Sequence, residues 1–474
     1  MRKFDTQVQH LKYKVLREVA RSAWKDELVD SITEIPEKIV PGNVPTMRCC
    51  VYKERAILSK RIKLAIGGNR ANRNVIEVIN IACDECPIGG FEITTACRGC
   101  VAHHCEDACP RGAISFDSNQ NGHINKEKCI ECGLCAAACP YNAIVNNTRP
   151  CERVCKVNAV SSGANSEANI DNSKCIACGA CVYHCPFGAI SDKSYILNVI
   201  DLIKKSNHNK NYKMYAVIAP SIAGQFNYAK IGQVIAGIKA LGFEKVVEAA
   251  LGADMVAAAE SKELKEKGFL ISSCCPAFVK YVQNEFESLA QYISHNLSPM
   301  ATISKYLKEK DETAKVVFIG PCTAKKEEIS LDKVKDYVDC AITFEELQAL
   351  FDSKDLDISS MQEEKLDEAS NFGRGFARCG GLADAIKEGL KEQGFDDFEL
   401  KAVACDGIEE CKKVLLRARI GKLDANFIEG MACKGGCIGG AGCLTHSNKN
   451  RAEAEKYSQS ANTKSIKNSI NKLD

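Results

Sequence analysis

Cys129-Ile130-Glu131-Cys132-Gly133-Leu134-Cys135-Ala136-Ala137-Ala138-Cys139-Pro140 decides how this sequence is read. Three thiols at two-residue spacers, a fourth after three more residues and a closing proline form a pattern that recurs. Cys97-x2-Cys100-x4-Cys105-x3-Cys109-Pro110 precedes it and Cys175-x2-Cys178-x2-Cys181-x3-Cys185-Pro186 follows. Each copy ends in a similar tail: Arg111-Gly112-Ala113-Ile114, Tyr141-Asn142-Ala143-Ile144 and Phe187-Gly188-Ala189-Ile190. A degenerate copy, Cys151-x3-Cys155-Lys156, runs into Val157-Asn158-Ala159-Val160. Four half-repeats make two units, each sized for two clusters.

An iron–sulfur cubane needs four thiolates, and this run offers three to one cluster while its fourth cysteine serves the other. A zinc site would draw four ligands from two close pairs, which these spacings fit poorly. The rule groups Cys97, Cys100, Cys105 and Cys139 on one 4Fe–4S cluster, and Cys129, Cys132, Cys135 and Cys109 on its partner. Cys175, Cys178, Cys181 and Cys155 take a third. Cys151 and Cys185 are left over, because the degenerate copy carries Val145 and Thr148 at its first two ligand positions. Either the second unit has lost a cluster, or the upstream pair Cys83-x2-Cys86-Pro87 completes a fourth. His103 and His104, in the longer spacer, are expected to be solvated loop residues.

The surrounding composition agrees with an intracellular redox protein. The chain has 474 residues, enough for about three domains, and 28 cysteines, sixteen of them between Cys83 and Cys185. In a large chain without a secretory signal, such thiols serve metals or redox chemistry rather than disulfides. The opening Met1–Gln7 has no apolar core, and no apolar run approaches the ~18 residues that span a bilayer. A cytoplasmic protein without a membrane anchor is expected. The 63 basic and 61 acidic residues nearly cancel, so a polyanion-binding surface, and with it a nucleic-acid partner, is not expected.

The expected organisation is multidomain, α+β followed by α/β. Residues 1–80 read as a helical lead-in, with Cys49 and Cys50 as core thiols. Residues 81–146 form one two-cluster unit and 147–211 a second. Residues 212–445 alternate short apolar runs with helical stretches, as in an α/β domain. The runs Met214–Ala219, Phe269–Ile271, Val316–Ile319 and Ala402–Ala404 end in loops rich in Cys, Gly and Pro. Ligands of open α/β sheets sit beyond the carboxyl ends of strands, so remote cysteines can converge there. Residues 446–474 read as a polar, helical or frayed tail. Cys340, Cys379, Cys405 and Cys411 lack motif partners and are expected to be inert, while Cys379 and Cys443 lie beside the motifs below.

Three segments remain: Ser272-Ser273-Cys274-Cys275-Pro276, Gly320-Pro321-Cys322-Thr323-Ala324-Lys325-Lys326, and Glu429-Gly430-Met431-Ala432-Cys433-Lys434-Gly435-Gly436-Cys437. They offer one or two ligands per loop, enough for one more cubane, with glycines that admit a bulky cofactor. Together they resemble the three signature motifs of the iron-only (FeFe) hydrogenases, in the right order behind a ferredoxin-like stretch, over about residues 81–445. Phe278, Gly320, Lys434 and Ala441-Gly442-Cys443 depart from the usual pattern and point to the divergent monomeric branch.

The resemblance implies a ferredoxin-like pair of units followed by an α/β hydrogenase domain. It implies reversible H2 oxidation and proton reduction at an H-cluster whose cubane is held by Cys275, Cys322, Cys433 and Cys437. Cys437 would bridge to a diiron subsite bearing CO, cyanide and dithiolate ligands, installed by maturation proteins. Cys274 would relay protons, Lys325 would bond a cyanide, and Ala219, Pro220, Ser221, Phe376 and Met431 would line the pocket. Glu260, Ser298 and Glu263 would carry the proton onward, with Lys267 at the exit. Three or four accessory 4Fe–4S clusters would exchange electrons with a ferredoxin. Two alternatives share the core: a non-catalytic assembly or electron-transfer protein, akin to prelamin A recognition factor-like proteins, and a hydrogen sensor. The pairing of Cys274 with Cys275 and the retention of Lys325 speak for the enzyme.

Overall fold

The computed structural model describes residues 3–84, 86, 89–163 and 167–473. Pro87, part of the Cys83/Cys86 motif, lies outside the described residues.

The four half-repeats share one local device. After each Cys-Pro (Cys-Lys in the degenerate copy) the chain takes a left-handed residue at Gly112, Asn142, Asn158 and Gly188, with φ of 54°, 50°, 51° and 58°. Gly and Asn tolerate that conformation best. It swings the next alanine N–H back onto the cysteine: Ala113, Ala143, Ala159 and Ala189 donate to Sγ of Cys109, Cys139, Cys155 and Cys185 at 3.2–3.4 Å. The tails are therefore N–H···S clamps, and the degenerate copy keeps its clamp.

Each unit is a pair of small antiparallel ladders. In the first, Ile114–Phe116 pairs with Gly122–Ile124, and Phe91–Ile93 with Ile144–Asn146. In the second, Val160–Ser162 pairs with Ala168–Ile170, and Ile190–Asp192 takes Ile76–Val78 as its outer strand. The expected boundary at residue 81 is thus corrected. The strand Ile76–Val78, together with Cys83 and Cys86, completes the second unit, and the first is inserted into it as a loop.

Residues 1–80 are no separate lead-in either. The helix Gln7–Trp24 opens with a capping box between Thr6 and Gln9 and buries Tyr13, Val15, Leu16, Val19 and Ala20 against helices that include Phe344–Ser353. Cys49 and Cys50 are not core thiols. Cys49 is exposed, and Cys50 caps the helix Val51–Ala65 through its sulfur.

The C-terminal part holds two parallel sheets. One runs Lys245–Glu248, Met214–Ile218, Lys315–Ile319, Cys340–Ile342; the other runs Leu270–Ile271, Phe427–Met431, Ala402–Asp406. All neighbours are parallel, so the carboxyl ends deliver the cysteine loops to one side of each sheet. The helix Ala249–Lys267 is the central support, packed on Pro299–Lys310, Gly381–Glu392 and Ile466–Ile470. The stretch from residue 446 to 473, expected to be helical or frayed, is helical and packed. It contributes Lys449–Gln459 and Ile466–Ile470, buries Tyr457, Ala461 and Ile466, and joins Ser469 Oγ to Asp254 at 2.6 Å.

A buried ionic cluster ties these parts together. Lys326 Nζ lies 2.8 Å from Asp192 and 2.7 Å from Glu346, all three side chains being excluded from solvent. Lys12 from the first helix pairs with the same Asp192 and with Glu345 at 2.6 Å. Ser194 Oγ and Thr343 N donate to Glu346, both at 2.6 Å. Although burial opposes its charge, the two lysines hold the Asp192 carboxyl well below the usual carboxylate range. Removing one partner of a buried pair strands the other charge, at a cost of about 3–5 kcal/mol. Lys326→Met is therefore expected to lower the unfolding free energy of the apo-protein by an amount of that order, measured by far-UV circular dichroism in guanidinium. An unchanged midpoint would remove the cluster from the stability account.

Candidate functional site

Several of the thiols lie near others that the repeat rule groups with them. In the first unit the Cys105 sulfur faces Cys139 and Cys100, and Cys135 faces Cys129 and Cys109; Cys97 Sγ lies near Gly122. In the second unit Cys181 faces Cys178, Cys175 and Cys155. Cys151 faces Cys185 and Cys83, and Cys86 faces the same two. The pair at 83 and 86 therefore folds back onto the leftover cysteines, brought there by the strand Ile76–Val78. Cys83 Sγ also accepts Ala168 N–H at 3.3 Å. Burial and these neighbouring thiols push Cys151 up to about 12. Among the described residues no three His, Cys, Asp or Glu side chains close on a single ion; the thiols stand in looser groups. His103 is not merely solvated. It stacks on Phe116 with centroids 3.8 Å apart and bonds Glu106 at 3.0 Å.

A fifth quartet forms where the parallel sheets end. Cys433 faces Cys322, Cys275 and Cys437, and Cys437 faces Cys322 and Cys275. Cys275 opens the helix Pro276–Glu285 and Cys322 opens Thr323–Glu328. Burial, reinforced by the other thiols, pushes Cys322 up to about 11 and Cys437 to about 12. Such thiols ionise only when a cation-rich partner replaces the proton. The fourfold thiolate donor sets fit cubanes, and two orphaned polar atoms point to further occupants. Ser221 Oγ, wholly buried in the loop after Met214–Ile218, has no hydrogen-bond partner, and neither has Arg61 Nε beside Cys185. Ala219 and Pro220 precede Ser221 in the same loop, and Ala219 touches Gly320 of the Cys322 loop. Phe376 and Met431 are both buried.

Cys274 is half-buried beside Cys275 and Cys437, and Glu260 bears on it. Burial and the Glu260 charge drive its thiol far above the ordinary range. Lys325 Nζ lies 3.5 Å from the Cys274 carbonyl and forms a 2.6 Å pair with Glu328. Ser273 Oγ bonds Glu260 at 3.1 Å. Burial raises Glu260 to about 7. Glu263, one turn along, behaves oppositely: burial resists its charge, but Lys267 at 2.6 Å and the His295 N–H hold it below the usual range.

The serine between these carboxylates is Ser294, not Ser298. Ser294 Oγ donates to Glu263 Oε2 at 2.9 Å and also bears on Glu260. Ser298 instead caps the helix Pro299–Lys310 through Ala301 N and lines a cavity of about 240 Å³ with Ser273 and Glu328. Both serines flank the same short loop, and nothing in their spacing distinguishes them. A second residue missed from sequence is Glu429. Burial raises it to about 7, it bears on Cys274 and Cys437, and it accepts the N–H groups of Gly380 and Ala383 at 2.7 and 2.8 Å.

Residues 212–441 match the family described as the iron only hydrogenase large subunit, C-terminal domain, and residues 96–143 and 168–191 match the 4Fe-4S dicluster and 4Fe-4S binding domains. The chain is an FeFe-hydrogenase-like protein with ferredoxin-like domains. It is 27% identical to iron hydrogenase 1 of Clostridium pasteurianum over 308 residues, 53% of each chain. It is 21% identical to the human nuclear prelamin A recognition factor over 305 residues, 52% of this chain and 67% of that one. This FeFe-hydrogenase-like chain spans about half the length of the first curated relatives it matches. A solved FeFe-hydrogenase, HydA1 of Chlamydomonas reinhardtii, superposes with a TM-score of 0.48 at 19% identity, covering 59% of this chain and 93% of that one. No helix among the described residues is long and apolar enough to cross a membrane.

The Cys83/Cys86/Cys151/Cys185 quartet yields a direct test. Replacing Cys83 and Cys86 together by serine is expected to remove about four irons per chain, counted by iron analysis after anaerobic reconstitution, while the other quartets stay loaded. Undiminished iron would show that no cluster sits there.

Proposed function

We propose that this chain catalyses reversible H2 oxidation and proton reduction at an H-cluster, passing electrons through accessory 4Fe–4S clusters to or from a ferredoxin-type carrier. The observation that carries the reading is Cys274: a half-buried thiol next to the hydrogenase-motif quartet, on which a carboxylate poised near neutrality bears. When bound, a cubane held by Cys275, Cys322, Cys433 and Cys437 with its diiron subsite supplies the redox and H2-activating chemistry. The chain's own residues handle the proton. Cys274 Sγ takes or gives it at the cluster side, and Glu260 exchanges it with Cys274. Ser294 Oγ links Glu260 to Glu263, which releases the proton to solvent at the exit marked by its ion pair with Lys267, at the end of the same helix. Glu260 and Glu263 are three apart on Ala249–Lys267 and so share one face. Lys325 would offer a charged hydrogen bond to an anionic cyanide ligand, and Ala219, Pro220, Ser221, Phe376 and Met431 would wall the subsite. The subsite itself would come from separate maturation proteins.

The matched prelamin A recognition factor keeps a second reading in view, a chain that holds cubanes without turning over H2. Cys274 and Lys325 favour the enzyme, because neither is needed to hold a cubane. Infrared bands of CO and cyanide, with H2 evolution after anaerobic maturation, decide between the two.

Three variants test the proposed roles. Cys274→Ala is expected to keep the infrared bands while lowering turnover by orders of magnitude; lost bands would make Cys274 a ligand. Lys325→Ala is expected to impair retention of the subsite with the cubanes intact, since a hydrogen bond to a charged group is worth roughly 1.5–3 kcal/mol. Wild-type bands and activity would sink that role. Ser294→Ala is expected to lower turnover at least tenfold, whereas Ser298→Ala changes it little and costs about 1 kcal/mol of helix capping. Equal effects would refute the relay through Ser294. Proton reduction in the wild type should also decline as pH rises through about 7, where Glu260 loses its proton. Glu260 favours the fold most below its ordinary carboxyl range, and that contribution is lost as pH rises through about 7.

A further inference from the structure

Arg61 is an arginine in the wrong place for an ordinary ion pair. It sits in the helix Val51–Ala65 with only 5% of its surface exposed. One guanidinium nitrogen donates to the Phe187 carbonyl at 3.1 Å, while Nε has no partner. The charges that bear on it most are the Cys185 thiol, which attracts, and Arg48, which repels. No carboxylate ranks among them. Its guanidinium packs against Gly188, where a Cβ would lie 2.6 Å from Nη2, so the clamp after Cys185 leaves room for it. Arg48 stacks over Phe187 at 5.0 Å, and Arg149, 1% exposed, bears on Cys86.

A buried cation is expensive unless an anion faces it. The anion available here is the cluster-bearing quartet Cys83, Cys86, Cys151 and Cys185. The cations described at the other accessory quartets differ from it. Lys280, which bears on Cys175, is paired with Glu327. The shifts at Cys105 and Cys135 arise chiefly from burial, backbone N–H groups and neighbouring thiols. A reduced 4Fe–4S cluster carries one more negative charge than the oxidised one, so a fixed buried cation stabilises the reduced form and raises the potential.

We propose that Arg61, a positioning residue, with Arg149 bearing on Cys86 of the same quartet, makes the Cys83/Cys86/Cys151/Cys185 cluster the highest-potential station of the accessory chain. It is the point where an electron rests between the hydrogenase domain and the inserted first unit. The assignment rests on that quartet holding a cluster. Cys151 bears on Cys181 of the neighbouring quartet, and Cys178 of that quartet bears on Cys322, so the station lies one cluster removed from the hydrogenase motifs.

The test is an anaerobic redox titration of the full, reconstituted chain followed by electron paramagnetic resonance. The signal lost in the Cys83→Ser, Cys86→Ser double variant identifies the cluster. Arg61→Gln removes the charge at similar length, and Arg61→Lys retains it. With iron content unchanged, Arg61→Gln is expected to lower the reduced-to-oxidised ratio of that one signal about tenfold at fixed potential, about 59 mV for one electron. Arg61→Lys is expected to stay within threefold of the wild type. An unmoved midpoint in Arg61→Gln, equal shifts in both variants, or loss of about four irons from both would overturn the assignment. Full iron in the double cysteine variant would instead remove the cluster, and the Arg61 role with it.

Discussion

Lys326 lies four residues after Cys322 and reaches, without access to water, a carboxylate on each of two other segments: Asp192 at the end of the second iron–sulfur unit and Glu346 on the helix after Cys340–Ile342. Lys12 closes the figure from the N-terminal helix. Such a cluster contributes little net stability against an apolar substitute. It does tolerate only one docking geometry, because any slip strands a buried charge. The electron-transfer units, the hydrogenase domain and the first helix are therefore held in one register by five side chains, and the distances between quartets follow from that register.

Legibility in the sequence tracked the range of the interaction. The cubane spacing is local, so the three intact runs could be read directly. The Cys83/Cys86 pair was accessible through a shortage of ligands at Val145 and Thr148. How it reaches its partners was not, because the strand Ile76–Val78 is three residues long and pairs with residues more than a hundred positions away. The strands Lys245–Glu248 and Cys340–Ile342 escaped notice for the same reason: each is too short to show a period. The polar C-terminal stretch hid Tyr457, Ala461 and Ile466, whose burial depends on the helix Ala249–Lys267 and its partners. Ser294 and Ser298 differ only in which way a loop turns, and that is a tertiary fact.

The proposed exits for proton and electron leave the hydrogenase motifs in different directions. The carboxylates Glu260 and Glu263 ride on the helix Ala249–Lys267, and burial splits their ionisation: Glu260 is raised while Glu263, tied to Lys267, is lowered. A proton moving outward thus passes from a group that holds it near neutrality to one that readily releases it. The thiols of the neighbouring iron–sulfur quartet lie instead toward Cys322 and Cys433, with no carboxylate relay of that kind among the groups bearing on them. Separation of this sort lets the two products be tuned by different residues.

The junction on the electron side is set by a steric limit. Gly179 follows Cys178 in a left-handed conformation, and a Cβ there would stand 2.5 Å from the Ala441 side chain and 2.7 Å from Thr323 Oγ1. Thr323, next to Cys322, donates to the Ala177 carbonyl at 2.6 Å. The loop carrying one quartet is thereby hydrogen-bonded to the loop carrying the other, with no side chain between them. Any residue larger than glycine would strain the backbone, and it would also push the iron–sulfur unit off the hydrogenase domain. The missing Cβ at position 179 thus sets how closely the two quartet-bearing loops approach. The buried charges of Lys326 and Asp192 act a few residues beyond it, holding closed the contact that Gly179 permits.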